Sequence, residues 1–308
     1  MKKETKQPRV FNSVSELNHA LGLPKPLHPL ISLNYYKDMK PEWGSIEGGM
    51  IMNLYKISYK SDFTGRFKYG QHFYDFNEGG MCFVSPNQVI LVDDTEQDYG
   101  GFSLMIHPDF LRNYPLGKQI KNYGFFSYTS AEALHLSEKE KETIFGVIKM
   151  IEDELALPID QFSQDVMIAQ IELLLHYSNR YYNRQFITRK AANHDLLTRL
   201  DILLSEHFDT QKAMENGLPT VQEVAAQLQV SQRYLSDVLR SLTGQNAQQH
   251  IHNKLIEKAK EILLSSGNLS VAEIAYQLGF EHPQSFNKLF KQKTNQSPVA
   301  FRLSFLQN

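Results

Sequence analysis

The chain has 308 residues, of which 42% are hydrophobic, 11% aromatic and 21% charged. It is long enough for two domains with separate cores and too apolar for a disordered chain. A net charge of −2 argues against holding a nucleic acid by bulk charge alone, and the single cysteine, Cys82, excludes an internal disulfide and a cysteine-based zinc site.

The first residues, Met1-Lys-Lys-Glu-Thr-Lys6, are charged and precede no apolar core, so no signal peptide is expected. No apolar run approaches membrane-spanning length, and the expected location is cytoplasmic with no membrane partner. Residues 1–30 are polar and then punctuated by prolines (Leu23-Pro-Lys-Pro-Leu-His-Pro29), which predicts a loose segment laid over a domain.

From Ile31 to Pro108 the pattern is that of strands. Met50–Lys60, Arg66–Tyr74, Met81–Val84, Gln88–Val92 and Phe102–His107 are β-branched or aromatic runs. Gly65, Gly79-Gly80, Pro86-Asn87 and Gly100-Gly101 break them. Short strands with frequent turns predict a β-sandwich or a small barrel. Cys82 lies in one such run and reads as a buried, inert thiol. Phe73, Tyr74 and Phe76 are candidates for lining an effector pocket, against the plainer reading that they are core.

After His107 the chain turns helical. Ser137 and Glu140 form a capping-box signature and open a helix through Leu155, with Ile144, Val147, Ile148 and Ile151 inward and Pro158 ending it. A longer helix over 160–184 is apolar on more than one face, through Phe162, Val166, Ile168, Ile171, Leu173, Leu174, Leu175, Tyr177 and Tyr181. One stripe suffices to cover a domain, so the second predicts a homodimer through the 160–184 helix. Polar Arg184–Asn193 is the linker candidate, dividing a regulatory and dimerisation domain (1–190) from a second domain (191–308). A leucine-rich helix is expected over 194–208, followed by a loop over 209–219 turning at Asn216-Gly217.

Thr220 to Arg302 reads as one unit written twice, fifty positions apart. Thr220-Val-Gln-Glu-Val-Ala-Ala-Gln-Leu-Gln-Val230 matches Ser270-Val-Ala-Glu-Ile-Ala-Tyr-Gln-Leu-Gly-Phe280. Each copy opens with a capping box, Thr220 with Glu223 and Ser270 with Glu273. Each continues into a second amphipathic helix, with Leu235, Val238, Leu239 and Leu242 inward in the first and Phe286, Leu289 and Phe290 in the second. Their outward faces carry Gln232, Arg233, Ser236 and Arg240, and Gln284, Asn287, Lys288 and Lys291. Hydrogen-bonding side chains for base edges and cations for phosphates are what a helix in a major groove needs. His282 is a further contact candidate, although His282-Pro283 first marks a helix start. Asn246–Ser266 reads as one connecting helix of roughly 30 Å, close to one turn of B-DNA. From Gly217 onward nine Lys and Arg face six acids, a modest +3 that places the weight on geometry and base contacts.

The segments Lys258-Ala-Lys-Glu-Ile-Leu-Leu264, Ser270–Phe280, Ser285-Phe-Asn-Lys-Leu-Phe-Lys291, Gln296-Ser-Pro298 and Phe301-Arg302 resemble the AraC/XylS transcription regulators. The sequence departs from that pattern at Gln229, which stands where the second copy has Gly279, and at Asn295, where the family usually has Gly. The resemblance implies an α+β protein of two domains, with an N-terminal cupin-like β-barrel followed by its own helices. An all-α domain with two helix–turn–helix units, over about 220–244 and 270–295, completes it. Phe73–Gln88 is similar to such a cupin-like domain. The implied function is a sequence-specific regulator, an activator by the commoner mode, with two recognition helices in successive major grooves of double-stranded DNA. RNA polymerase is an implied partner, and a small-molecule effector in the barrel an implied control. The alternatives are control by a protein partner or by abundance, and, more distantly, a cupin-type enzyme.

Against the enzyme reading, the strand region holds only isolated His72 and His107, where metal-binding cupins need paired histidines and a carboxylate. His250 and His252 lie two apart on a helix and point to different faces. No Ser–His–acid set, phosphate loop or cysteine nucleophile is present, so no catalytic residue, metal or cofactor is expected.

Overall fold

A computed structural model describes residues 8–40, 49–61, 63–69, 72–76, 79–90, 100–209, 212–266 and 269–306. The chain forms two compact units, Met1–Gln185 and Phe186–Asn308.

The first unit is mixed α+β. Its start is not loose: Arg9–Phe11 form β1 and Val14–Ala20 form α1. The Ser13 hydroxyl accepts from the Glu16 N–H, and the Glu16 carboxylate accepts from the Asn12 N–H at 2.9 Å. Phe11, Val14, Leu17 and Leu21 then pack with Met50, Met52, Leu54 and Met105, and it is this burial that orders the segment.

Eight further strands follow: β2 Ile31–Tyr35, β3 Met50–Met52, β4 Tyr55–Ser61, β5 Phe63–Tyr69, β6 His72–Phe76, β7 Gly80–Val84, β8 Val89–Ile90 and β9 Gly100–Ile106. The central sheet has the order β2-β9-β4-β7 and is antiparallel throughout. A smaller sheet joins β1, β3 and β8, and β5 pairs with β6. The run expected as one strand over Met50–Lys60 is two. The chain leaves one sheet after Met52, where the Asn53 N–H donates to Phe11 O, and enters the central sheet at Tyr55. A strand that changes sheets in this way turns a corner of the fold. The run expected over Arg66–Tyr74 spans the β5–β6 pair. Leu91 and Val92 lie outside the described residues, as do Met1–Lys6 and the side chains of His72, Phe73, Tyr74 and Phe76. Among the described residues the strand pairings form three sheets, and no described pairing closes them into one barrel.

Alternation along β4 buries Tyr55, Ile57 and Tyr59 on one face. The other face carries a row of buried polar side chains, Ser58, Ser103 and Asn34, across β4, β9 and β2. The Asn34 amide donates to Ser32 Oγ and to Asn18 Oδ1, both at 3.1 Å, so the row satisfies part of its own hydrogen bonding. Cys82 is half-buried on β7, and burial pushes its thiol up from the ordinary value, keeping it protonated.

Short helices α2 (Pro108–Leu111) and α3 (Leu116–Gln119) lead to α4 (Glu138–Ala156) and α5 (Ser163–Thr188). The expected Ser137–Glu140 capping box is present, and Ile144, Val147, Ile148 and Ile151 are buried. α5 starts later than expected because Asp160 Oδ1 accepts from the N–H groups of Phe162 and Ser163 before the helix begins. Of its two apolar faces, one is core: Ile168, Ile171, Leu174 and Leu175 are buried. The other is open, with Val166 and Leu173 exposed and Phe162 exposed just before the helix.

Arg184–Asn193 is not an extended linker. α5 runs to Thr188 and α6 (Lys190–Asp209) starts after Arg189. The polar side chains that mimic a linker are anchors. Arg184 donates to Glu140 Oε2 at 2.6 Å and His135 O at 2.7 Å, and buried Gln185 bonds the backbone at His135 and Ala133. In the second unit follow α7 (Lys212–Asn216), α8 (Val221–Leu228), α9 (Gln232–Thr243), α10 (Ala247–Ser265), α11 (Val271–Gln277), α12 (Pro283–Thr294) and α13 (Pro298–Leu306). No helix among the described residues is long and apolar enough to cross a membrane.

Candidate nucleic-acid interface

The two helix–turn–helix segments, α8–α9 and α11–α12, are built from their caps inward. Thr220 and Ser270 accept from the N–H groups of Glu223 and Glu273, both at 3.2 Å. The two carboxylates return the bond to the Thr220 and Ser270 N–H groups at 2.8 and 2.7 Å. The Thr220 N–H holds the Glu223 carboxyl below its ordinary value, and the Ser270 hydroxyl does the same for Glu273.

The turns close alike. The Gln229 N–H donates to Ala226 O and the Val230 N–H to Ala225 O. Their counterparts run from Gly279 to Tyr276 and from Phe280 to Ala275. Gln229 takes the left-handed conformation at φ 60° that Gly279 takes at φ 87°. The departure at Gln229 therefore leaves the turn's closure intact. Asn295 likewise ends α12 at φ 60°, as Gly244 ends α9 at φ 75°.

Packing then fixes which faces point outward. Val224, Ala225 and Leu228 are buried along with Leu235, Val238 and Leu239. In the second segment Ile274, Ala275, Leu278, Phe286 and Phe290 share one core with Leu255, Ala259 and Leu263 of α10. What remains on α9 is Gln232, Arg233 and Arg240, all exposed, and Ser236, half-buried. On α12 it is Gln284, Asn287, Lys288 and Lys291, all exposed. The spacing of three and four places each set on one helix face. His282 is exposed at the N-cap of α12 and makes no capping bond from its side chain, while Pro283 takes the first turn.

The remaining cations are mostly tied down. On α10, Lys254 pairs with Asp201 at 2.7 Å, and Lys258 pairs with Asp209. Arg302 donates to Leu263 O and Leu269 O, joining the end of α10 to the approach to α11. Lys293 donates to Asn253 Oδ1 at 2.9 Å. The +3 counted from Gly217 is thus partly taken up by pairing inside the fold, and Lys288 and Lys291 of α12 are exposed. One charged residue on the α9 face did not figure among the candidates from sequence: Asp237, which pairs with Arg233 and Arg240.

His250 and His252 turn to different partners, Thr243 Oγ1 and Gln248 Nε2. Among the described residues no group of three or more His, Cys, Asp or Glu is placed to hold a metal ion.

Residues 224–304 match the family model described as a helix-turn-helix domain. These residues form a helix-turn-helix domain of the AraC type. The chain is 26% identical over 194 residues to the uncharacterized HTH-type transcriptional regulator YfiF of Bacillus subtilis, covering 56% of this chain and 58% of that protein. It is 30% identical over 141 residues to the HTH-type transcriptional activator RhaS of Klebsiella pneumoniae, covering 46% and 45%. The chain therefore spans about half the length of the curated relatives it matches. Among solved structures, the C-terminal domain of AraT, a response regulator from Geobacillus stearothermophilus, is 28% identical. That match covers 35% of this chain and 84% of that one, with a TM-score of 0.31. The curated relatives are transcription regulators and not enzymes.

Proposed function

We propose that the protein is a sequence-specific transcription regulator that binds double-stranded DNA by inserting α9 and α12 into successive major grooves. The observation that carries this reading is the duplicated segment itself. Two helix pairs, whose first helices carry matching caps and whose turns match, each present on the second helix one exposed face of hydrogen-bonding and cationic side chains. α10, at 19 residues, is roughly 28 Å long, close to the rise of one DNA turn.

In this reading Gln232, Arg233, Ser236 and Arg240 on α9 contact DNA, with His282, Gln284, Asn287, Lys288 and Lys291 at α12. The regulator acts in the cytoplasm as an activator with RNA polymerase as a partner; the name of RhaS supports activation. Residues 1–190 form a cupin-like regulatory domain that takes a small effector, and 191–308 form the DNA-binding domain. Dimerisation runs through the open face of α5, where Val166 and Leu173 are exposed, together with Phe162 just before it.

Arg233 lies at the start of α9, where an arginine can pair with guanine O6 and N7 and discriminate by about 1–3 kcal/mol. Lys291 lies two turns into α12, where the helix leaves the groove toward a phosphate. Affinity across single-base variants of a duplex selected by the protein, at several salt concentrations, tests both. Arg233→Ala relaxes preference at one or two base pairs. Lys291→Ala weakens all variants alike and lowers the salt slope by roughly one. Equal weakening of every variant by Arg233→Ala, or a changed base preference in Lys291→Ala, overturns the roles.

A further inference from the structure

α9 carries an acid on the face proposed to meet DNA. Asp237 lies four residues after Arg233 and three before Arg240, so the three side chains share one stripe. Its Oδ2 accepts from Arg233 Nε at 3.1 Å, and its Oδ1 accepts from Arg240 Nη1 at 3.3 Å. The carboxylate is the sheltered member: its side chain is 17% exposed, against 47% and 54% for the two arginines. α12 offers no counterpart, because no acidic residue occurs from Pro283 to Thr294. An exposed helix pair of this kind adds little to stability. Facing a polyanion, a carboxylate also opposes binding. The two pairs and bulk attraction therefore do not by themselves explain its position.

We propose that Asp237 is a positioning residue for base reading, holding the Arg233 and Arg240 guanidiniums in the orientation that meets base edges. The proposal rests on the DNA-reading role of α9 given above. A long cationic side chain beside DNA has two outlets, the bases and the nearer phosphates, and only the first carries sequence information. A carboxylate bonded to both arginines restricts their rotamers before binding, so less freedom is lost when the base contacts form. The same negative charge penalises arrangements in which α9 lies against the phosphates. Specificity is a difference of affinities, and a repulsive element of this kind widens it.

The test uses the full chain, the duplex it enriches from a randomised pool, and a scrambled duplex of the same composition. Asp237→Asn keeps the side-chain shape and removes the charge. It is expected to bind the scrambled duplex more tightly and to lower the selected-to-scrambled affinity ratio roughly tenfold, within the range one arginine–guanine pair commands. Asp237→Glu returns the charge at longer reach and restores part of the ratio, which a packing role would not do. In an Arg233→Ala, Arg240→Ala background the Asn change leaves the ratio where it is, since nothing remains to be positioned. A wild-type ratio in Asp237→Asn overturns the proposal, as does an equal fall with and without the arginines. A fall in the ratio on Arg233→Ala alongside a wild-type ratio in Asp237→Asn sinks only the positioning role. A wild-type chain that binds both duplexes equally removes the DNA-reading role and this proposal together.

Discussion

At Gln229 and Gly279 two different residues make one turn, and the structure shows why the exchange is tolerated in one copy only. Both positions need a left-handed backbone, at φ 60° and 87°. Gln229 meets that need at a cost of roughly 1 kcal/mol relative to glycine. Gly279 faces a second demand. A Cβ there would lie 2.6 Å from Ala213 O and 2.8 Å from Gly217 C, both backbone atoms that cannot swing aside. Gln229→Gly should therefore stabilise the C-terminal unit by about 1 kcal/mol, and Gly279→Ala should destabilise it by about 2 kcal/mol or more. Denaturant titration measures both, and a destabilised Gln229→Gly would contradict this account. At this scale the sequence revealed whatever is local. Ser270 with Glu273 is a motif of four residues, and its bonds are where the motif places them. Lys254, Lys258 and Arg302 contribute to the +3 counted from Gly217. Their partners, Asp201, Asp209 and the carbonyls of Leu263 and Leu269, are remote in sequence and visible only once the helices pack.

Among the elements, α5 shows how far a hydrophobic pattern can be taken. Its two apolar faces were legible from spacing alone, but which face is the core was not, because that depends on where the sheet and α4 lie. Leu174 and Leu175 are fully buried, whereas Val166 and Leu173 are 39% exposed. Val166→Glu with Leu173→Glu should abolish dimerisation while leaving the melting temperature close to the wild type. Leu174→Glu should unfold the first unit, since an unpaired charge in a core costs several kcal/mol. Sedimentation and thermal melting together read both effects, and a dimer that survives the Val166 and Leu173 changes rules out this face. α1 is the opposite case. Ser13-x-x-Glu16 before Val14, Leu17 and Leu21 carries the same signature that marked three other helices, and the proline-rich stretch after it masked the signal. The break between β3 and β4 has no such signature. Met50–Lys60 is continuous in character, and only the bonding of Asn53 to Phe11 O shows where the chain changes sheets.

For the whole molecule, two units were legible from the length of the chain and the doubled segment from Thr220, but the place where they divide was not. Arg184–Asn193 looks like a tether, yet Phe186 and Asn193 are buried in the second unit. The Phe186 ring meets Tyr234 of α9 edge-on at 5.5 Å, and the Asn193 amide donates to Phe186 O. A fragment of residues 186–308 should thus fold alone, and one starting at 195 should be less stable by about 3 kcal/mol, the loss typical of removing a buried phenylalanine. Urea titration of the two fragments decides this, and equal stability would assign Phe186 to the first unit. The cupin-like barrel read from Phe73–Gln88 draws on side chains outside the described residues.

The clamping of α10 has a consequence for the DNA as much as for the protein. Ile251, Leu255, Ile256, Ala259 and Leu263 are buried along the helix, and Lys254 and Lys258 fasten it to α6. With no glycine or proline from Ala247 to Ser265, it has no hinge. It acts as a ruler of fixed length. One base pair inserted between the two subsites would turn the second by roughly a tenth of a helical turn. α10 itself offers no joint with which to follow, so on the proposed reading an operator is expected to keep its two subsites in phase, whatever their individual sequences.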